Sequence, residues 1–312
     1  CGSPARACNY TPTIVGGFPG GVKVTQLAMA TTFTDATGVD QAEFVLARGD
    51  DGKAYCWGAN GLGACAQPTT SASLSSATAV PSLTGVTDIA TAYLGHACAV
   101  ASGNVYCWGY NHAGQLGHAP GTSSDQSGAA CYSIAACNST PTQVSGVTNA
   151  TRVSAALSAS CASVASGVMC WGNSVDGELG DGKSANATVS APVSVIAPLP
   201  SKITSVSANY VSMFAIDDTG SGWSWGDNGY GALGAGNASG PSCTNQPCNS
   251  TPQKIASLPN IVQLSQAIYF MGALTSDGKV YAWGQGSYGT GDQSCFNGVT
   301  CNPKPEPVTG LP

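Results

Sequence analysis

Short apolar stretches alternate with polar and glycine-containing turns along the whole chain. Over residues 98–107, the stretch Cys-Ala-Val-Ala is followed by a Ser-Gly-Asn turn and then by Val-Tyr-Cys. Small, β-branched and aromatic residues on both sides of a glycine turn predict a tight β-hairpin. A further short strand is predicted over residues 147–155. The repeating unit has no helical stretch, so it is predicted to be a sheet of about four strands.

One segment of this pattern occurs five times. Its fullest copy spans residues 105–117, and weaker copies occupy residues 54–60, 168–180, 222–234 and 280–284. Each copy contains a Trp-Gly pair, and the five tryptophans, predicted to pack between blades, are Trp57, Trp108, Trp171, Trp225 and Trp283. Repeats of this length indicate stacked or radially arranged units. The chain is therefore predicted to be an all-β β-propeller with five full repeats of 51–63 residues.

These motifs resemble the repeats of the regulator of chromosome condensation family. The family signature combines a His-containing strand, a turn, a hydrophobic-aromatic pair, Trp-Gly-x-Asn and Gly-Gln-Leu-Gly. Residues 95–117 supply nearly all of this signature, and weaker copies carry the resemblance over almost the entire chain. The resemblance, in particular to secreted bacterial members, implies a β-propeller. It does not specify a function, because propellers with similar frames serve unrelated partners.

The blades are expected to share one radial core, which makes residues 1–312 a single domain. Blades are assigned to residues 11–66, 80–139, 140–190, 191–250 and 251–303. Residues 1–10 match the tail of a preceding repeat, and residues 304–312 copy the first strand of a blade. This leftover terminal strand is expected either to close the ring or to dock on a neighbouring copy, because an unpaired edge is a template for another strand. Known members mostly have seven blades, which favours docking.

The 14 cysteines are predicted to form seven local disulfides. The pairs Cys98–Cys107 and Cys161–Cys170 lie on facing strands of hairpins, where Cα atoms about 5.5 Å apart accept a disulfide. Cys56 has no cysteine on its facing strand and is assigned to Cys65. The remaining pairs close short loops: Cys1–Cys8, Cys131–Cys137, Cys243–Cys248 and Cys295–Cys301. The alternative, a zinc site, is disfavoured because the chain has three histidines and no Cys-x-x-Cys pair.

Disulfides in this number predict an extracellular or cell-surface location. No apolar stretch approaches the ~20 residues that span a bilayer. Cys1 followed by Gly resembles the start of a bacterial lipoprotein, but a lipid on Cys1 would leave Cys8 unpaired, so a lipid anchor is disfavoured. The Asn-x-Ser/Thr sequons are either glycosylation sites or unmodified turn residues. They are Asn9, Asn138, Asn149, Asn186, Asn237 and Asn249.

The charge of the chain argues against nucleic-acid partners. Only 8% of residues are charged, the formal net charge is −6, and the 10 basic residues are scattered singly. A phosphate backbone requires a concentrated basic surface. Nucleic-acid binding is therefore not expected, and the nucleotide-exchange activity of nuclear family members is not carried over.

No catalytic, cofactor or metal site is predicted. The segments Gly229–Gly234 and Gly284–Gly289 satisfy the dinucleotide-binding pattern, but no helix follows and both coincide with the glycine turn of the repeat. His112 and His118 flank one such turn without a third ligand. The tripeptide Arg48-Gly49-Asp50 spells an integrin motif within a predicted hairpin turn. No acid/base set accompanies these features, so the protein is predicted to be non-enzymatic.

Two functions are compatible with these features. The leading hypothesis is an extracellular structural protein that associates head to tail with copies of itself, as a fibre or surface assembly, through its terminal strand and cysteine loops. The alternative is a monomeric secreted propeller that binds another extracellular protein on one face, as inhibitors of secreted β-lactamases that resemble this family do. Loop insertions at residues 67–79 and 119–130 are the expected rim for partner contacts.

Overall fold

The predicted all-β propeller is confirmed, with five antiparallel sheets in chain order. The structure, a computed structural model, describes residues 13–30, 43–69, 71–122, 125–126, 131, 136–184, 188–243, 246–258, 260–286 and 292–310. Phe296–Gly298 forms a 3₁₀ turn.

Each sheet is built from consecutive strands that pair with their neighbours in the chain. The first sheet contains β1 (Val24–Met29), β2 (Phe44–Gly49), β3 (Ala54–Ala59) and β4 (Ser73–Ala79). The second contains β5 (Val86–Thr91), β6 (His96–Ala101), β7 (Asn104–Tyr110) and β8 (Cys137–Thr148). The third contains β9 (Arg152–Ala155), β10 (Ala159–Val164), β11 (Gly167–Asn173) and β12 (Thr188–Ser194).

The last two sheets each carry one extra short strand. The fourth contains β13 (Ile203–Ala208), β14 (Ser212–Asp217), β15 (Gly222–Asp227), β16 (Ser242–Cys243) and β17 (Gln246–Lys254). The fifth contains β18 (Ile261–Gln266), β19 (Phe270–Thr275), β20 (Val280–Gln285), β21 (Gln293–Ser294) and β22 (Thr300–Pro307). In both sheets the extra strand pairs only with the outer strand of its blade.

The glycine of each Trp-Gly pair lets two strands approach closely. Gly109 has a φ of 94°, and a Cβ there would lie 2.9 Å from the Cα of His96 on the facing strand. The pairing of β7 with β8 shifts register between Cys107 and Gly109, which marks a bulge at this position. A side chain at this site would force the strands apart, so only glycine fits.

An apolar cluster joins each pair of successive sheets, and all four clusters contain aliphatic side chains and a buried tryptophan. At each junction a fully buried tryptophan donates its indole N–H to a backbone carbonyl of the preceding blade. The four bonds, of 2.8 to 2.9 Å, are Trp108 to Ala64, Trp171 to Gln115, Trp225 to Glu178 and Trp283 to Ala232. The tryptophans therefore fix the spacing of neighbouring blades as well as their core.

The structure divides the chain into blades differently from the sequence assignment. Residues 140–148, assigned to the start of the third blade, belong to β8, the outer strand of the second sheet. The leftover terminal strand is likewise paired, because residues 304–307 belong to β22 in the fifth sheet. Within the segment assigned as a loop, residues 67–79, Ser73–Ala79 forms β4. Residues 1–10 lie outside the described residues.

The antiparallel order gives the propeller two distinct faces. The turns between the second and third strands, such as Ser102–Gly103, lie at one end of every sheet, which we call the hairpin face. The links between the first and second strands and the long loops after the third strand lie at the other end, which we call the loop face. The cysteine loops and the glycine turns of the repeat belong to the loop face.

Candidate functional site

Six of the seven assigned cysteine pairs are brought to disulfide distance. The hairpin pairs Cys98–Cys107 and Cys161–Cys170 face each other in register, each with a Cα separation of 4.1 Å. Separations of 5.2 to 5.9 Å are found for Cys56–Cys65, Cys131–Cys137, Cys243–Cys248 and Cys295–Cys301. Cys1–Cys8 lies outside the described residues.

Two of the sequon asparagines serve as turn residues. Asn138 is 1% exposed, its Oδ1 accepts from the backbone N–H of Thr140, and its Nδ2 donates to Thr142 Oγ1. Asn249 makes the equivalent bonds to Thr251 and Gln253. A buried amide with both atoms bonded cannot carry a glycan, which favours the turn role for Asn138. Asn149 and Asn237 are exposed, whereas Asn9 and Asn186 lie outside the described residues.

The three histidines are held by separate partners. His96 is fully buried against Ser160, and burial lowers its pKa to about 3, so the ring is neutral. His118 lies 2.8 Å from Asp125, whereas His112 bonds Gln115 and Ser158. No group of three or more His, Cys, Asp or Glu among the described residues is arranged to hold a metal ion.

The remaining sequence motifs are placed in turns. Asp50 accepts from the backbone N–H of Lys23, and Arg48 donates to the carbonyl of Thr87, so the Arg-Gly-Asp tripeptide is held at the hairpin face. Residues 229–234 form the glycine turn of the fourth blade, and residues 287–289 lie outside the described residues. In the part of the chain that the structure describes, no helix has the length and apolar composition needed to cross a bilayer.

The innermost strands surround a polar channel. A cavity of about 430 Å³ lies along them and is lined by residues from all five sheets, among them Gln26, Asp88, Arg152 and Gln266. Asp88 accepts from the Gln26 side chain at 2.9 Å and from the backbone N–H of Val153 at 2.8 Å. Burial raises the pKa of Asp88, and these two bonds oppose that shift. Asp88 thus ties the inner strands of three blades together.

A row of aromatic side chains crosses the loop face beside the mouth of this channel. We call Tyr93, Tyr210, Tyr269, Tyr230 and Phe296 the aromatic row. Successive ring centroids lie 5.3, 6.0, 4.1 and 6.2 Å apart, and all five side chains are half-buried. The rings come from the second, fourth and fifth blades. Aromatic rings with one accessible side are the side chains most enriched in protein-binding surfaces.

Carboxylates lie beside one end of the aromatic row. Asp227 is 1% exposed and accepts from the backbone N–H of Gly229, a residue that also approaches Phe296. Burial raises the pKa of Asp227 to about 7, and the nearby Asp176 adds to the shift. Burial, Tyr230 and these carboxylates raise the pKa of Tyr269 to about 12. Asp227 and Asp176 thus place two acidic groups near Tyr269.

The first sheet leaves apolar side chains exposed on the side where the other sheets contact a preceding blade. Leu27 is 58% exposed, whereas Ile89, Val153 and Val206, at the same strand position, are 3 to 7% exposed. Met29, on the same strand, is 70% exposed. We call this side of the first sheet the leading face.

Trp57 also belongs to the leading face. Among the described residues its indole nitrogen has no carbonyl partner, and its ring contacts Phe18 at 5.9 Å instead. Phe18 contacts Tyr55 at 5.1 Å as well, so it covers the outer half of the face and leaves Leu27 uncovered.

The fifth sheet is less buried on its opposite side, which we call the trailing face. Val280 is half-buried there, whereas Val105 and Val168, in equivalent positions, are at most 2% exposed. Leu274 is half-buried too, and Val308 is 41% exposed. Within the described residues, both ends of the row of blades thus present apolar side chains that are more exposed than their equivalents at the internal junctions.

The repeat pattern matches a known family. Residues 102–163 and 219–274 match the regulator of chromosome condensation (RCC1) repeat, and residues 270–290 match a second description of the same repeat. The chain is an RCC1-like repeat protein. It is 31% identical to the human E3 ubiquitin-protein ligase HERC2 over 199 residues, which are 60% of this chain and 4% of HERC2. It is 29% identical to the ultraviolet-B receptor UVR8 of Arabidopsis thaliana over 208 residues, which are 64% of this chain and 42% of UVR8.

Solved structures share the RCC1-like fold. Human WBSCR16 superposes with a TM-score of 0.67 at 19% identity, over 93% of this chain and 68% of that one. Prp20p from Saccharomyces cerevisiae, described with its binding to Gsp1p and histones, gives a TM-score of 0.67 at 16% identity, over 93% of this chain and 66% of that one. The likeness at these identities concerns the fold alone.

Sequence reasoning did not find the aromatic row or the buried acids. The row joins side chains that are far apart in the chain, from Tyr93 to Phe296, and three of them lie in links between first and second strands. A tyrosine in that link recurs at Tyr93, Tyr210 and Tyr269. That recurrence is the one sequence signal that could have pointed to the row.

Proposed function

We propose that this RCC1-like propeller is a non-enzymatic, extracellular structural protein that associates head to tail with copies of itself. The leading face of one copy packs on the trailing face of the next. The observation that carries this proposal is the exposure of Leu27 and Met29 beside Trp57, whose indole nitrogen has no carbonyl partner among the described residues. The paired terminal strand and the closed cysteine loops are not needed for this contact.

The proposed contact repeats the interface that already joins the blades. Four internal junctions bury a leading face against a trailing face, each with a tryptophan bonded across the junction. A head-to-tail contact of this kind extends into a fibre when its rotation does not close a ring. Exposed apolar surface of this extent favours association. The disulfide-distance cysteine pairs support an oxidising, extracellular location.

A charge placed on the leading face tests the proposal. Leu27→Lys should abolish association, because an ammonium group would be buried against the apolar trailing face. The matched control is Ile196→Lys, since Ile196 is 40% exposed but lies on neither face. Light scattering over a concentration series would measure the mass of each variant. Equal association of both variants, or a wild-type chain that stays monomeric, would refute the proposed contact.

A second candidate function is binding of another protein on the loop face. The aromatic row supports it, because a row of half-buried rings beside a channel mouth offers a large contact area at low cost in side-chain entropy. The aromatic row lies on the loop face, and its Tyr93 end adjoins Met29 of the leading face across a small cavity. Alanine substitution of Tyr210 should weaken binding of such a ligand without changing self-association, and co-purification of the exported protein with its partners would measure that loss.

A further inference from the structure

Backbone hydrogen bonds hold three residues of the aromatic row in place. The carbonyl of Tyr210 accepts from the N–H of Leu157 at 2.9 Å, and the N–H of Phe296 donates to the carbonyl of Gly229 at 2.9 Å. The carbonyl of Tyr269 accepts from the N–H of Gln285 at 2.8 Å. The row is therefore a preorganised surface, and a ligand that binds there need not order it.

The surroundings of Tyr269 select for positive charge. The groups that act on it electrostatically are Tyr230, Tyr210 and the carboxylates of Asp227 and Asp176. No lysine or arginine among the described residues contributes. The faces of aromatic rings attract cations, and two carboxylates within range add to that attraction. An anionic ligand would be repelled by the same groups.

The shape of the surface favours a polypeptide segment that inserts one side chain into a small cavity. A cavity of about 120 Å³ lies beside Tyr93 and Tyr210 and is lined in part by Asn209, Gln266 and Ile268. It accepts the end of a side chain but not a folded domain. Asn209 and Gln266 supply hydrogen-bonding groups at its wall.

From this geometry we infer that the loop face binds a polypeptide segment by packing an arginine side chain against the aromatic row at Tyr269. The planar guanidinium group stacks on an aromatic ring while its N–H groups point toward carboxylates, a combination that an ammonium group cannot reproduce. The inference rests on the second candidate function, a protein ligand on the loop face, and specifies the chemistry of that ligand.

Peptide titration of the complete, unreduced chain tests the inference. The probe is acetyl-Gly-Arg-Gly-Arg-Gly-amide, and the matched peptide carries Gln in place of each Arg. At pH 8, isothermal calorimetry should show the Arg peptide binding at least about tenfold more tightly than the Gln peptide. Tyr269→Leu should remove about tenfold of that affinity, whereas Tyr269→Phe, which keeps the ring, should retain most of it.

The controls separate this inference from the proposed functions. Asp218→Asn, on the hairpin face, should leave peptide binding unchanged, and light scattering should show the same association for every loop-face variant. Equal binding of the two peptides, with loss in Tyr269→Leu, would overturn the arginine preference but keep the loop face as a binding surface. Binding of neither peptide, or binding unaffected by Tyr269→Leu, would overturn the inference itself.

Discussion

Single side chains set the contact between neighbouring blades, and tryptophan is the most informative of them. Trp225 is fully buried and bonds the carbonyl of Glu178 at 2.8 Å, whereas Trp57 is half-buried and has no such bond within the described chain. The same residue type thus stands in two environments at one repeat position.

A matched pair of substitutions measures the difference between these environments. Trp225→Phe removes the indole N–H, leaves the carbonyl of Glu178 unbonded and opens a small cavity, so a loss of about 2 kcal/mol in the free energy of unfolding is expected. Trp57→Phe should lower the free energy of unfolding of the monomer by less than about 1 kcal/mol. Urea unfolding of both variants gives the two values. Equal losses would show that the interblade bond does not stabilise the junction.

Glu178 makes the stability of the protein depend on pH. Its carboxylate accepts from Asn173 Nδ2 and from the backbone N–H of Asp176, yet burial raises its pKa from 4.5 to about 8. The folded state therefore favours the neutral acid. The stabilisation is complete below the unfolded-state pKa of about 4.5 and is lost as the pH rises through 8. Burial also raises the pKa of Asp227, to about 7, so this group likewise makes the protein less stable as the pH rises.

Glu178→Gln should reduce this pH dependence. Gln115, the residue at the same position of the second blade, already accepts from the backbone N–H of Ala113 in the equivalent way. The variant should have the same free energy of unfolding as the wild type near pH 5. Near pH 9 its free energy of unfolding should be higher, by an amount on the order of a few kcal/mol. Thermal melting at the two pH values gives the comparison. A wild type that grows more stable as the pH rises from 5 to 9 would contradict the assignment.

At the scale of elements, the hairpin disulfides reinforce strands that pair without them. In the fourth sheet Phe214 faces Ser224 at the register position that Cys161 and Cys170 occupy in the third sheet. The fourth hairpin forms from the same turn chemistry and alternation. The cross-link is therefore expected to stabilise the third hairpin rather than to define it.

Replacing both cysteines of the third hairpin with alanine should lower the free energy of unfolding by roughly 2–3 kcal/mol, because the unfolded chain loses a nine-residue loop constraint. The hairpin register should remain. Urea titration gives the stability, and amide hydrogen exchange of β10 and β11 reports the register. The reference is the wild type under the same non-reducing conditions. A variant that unfolds at the wild-type midpoint would show that this disulfide contributes nothing.

The sequence predicted some elements well and others poorly, for physical reasons. Hairpins such as β6–β7 were predictable because the glycine turn and the flanking apolar residues lie next to each other in the chain. The outer strands were assigned to the wrong blades or, in β4, to a loop. Their Ser, Ala and Pro residues carry little β signal, and Pro is tolerated on strands at a sheet edge. Only tertiary pairing reveals to which sheet they belong.

At the scale of the whole molecule, the row of five blades has two uncovered ends. The repeat buries Ile89, Val153 and Val206 between blades, but Leu27 at the first blade remains exposed. The sequence could predict that the ends differ from the middle. It could not predict which surface is uncovered, because the terminal strand was expected to close the ring or to dock on a neighbouring copy, whereas the structure pairs it in the fifth sheet.

Electron microscopy of the unreduced, concentrated chain is the most direct test of this account. The account predicts filaments or rows in which one chain is the repeating unit, with the Leu27 side of the first sheet against the Val280 side of the next copy's fifth sheet. Separate particles with the mass of one chain at every concentration, with Leu27 facing solvent, would contradict it.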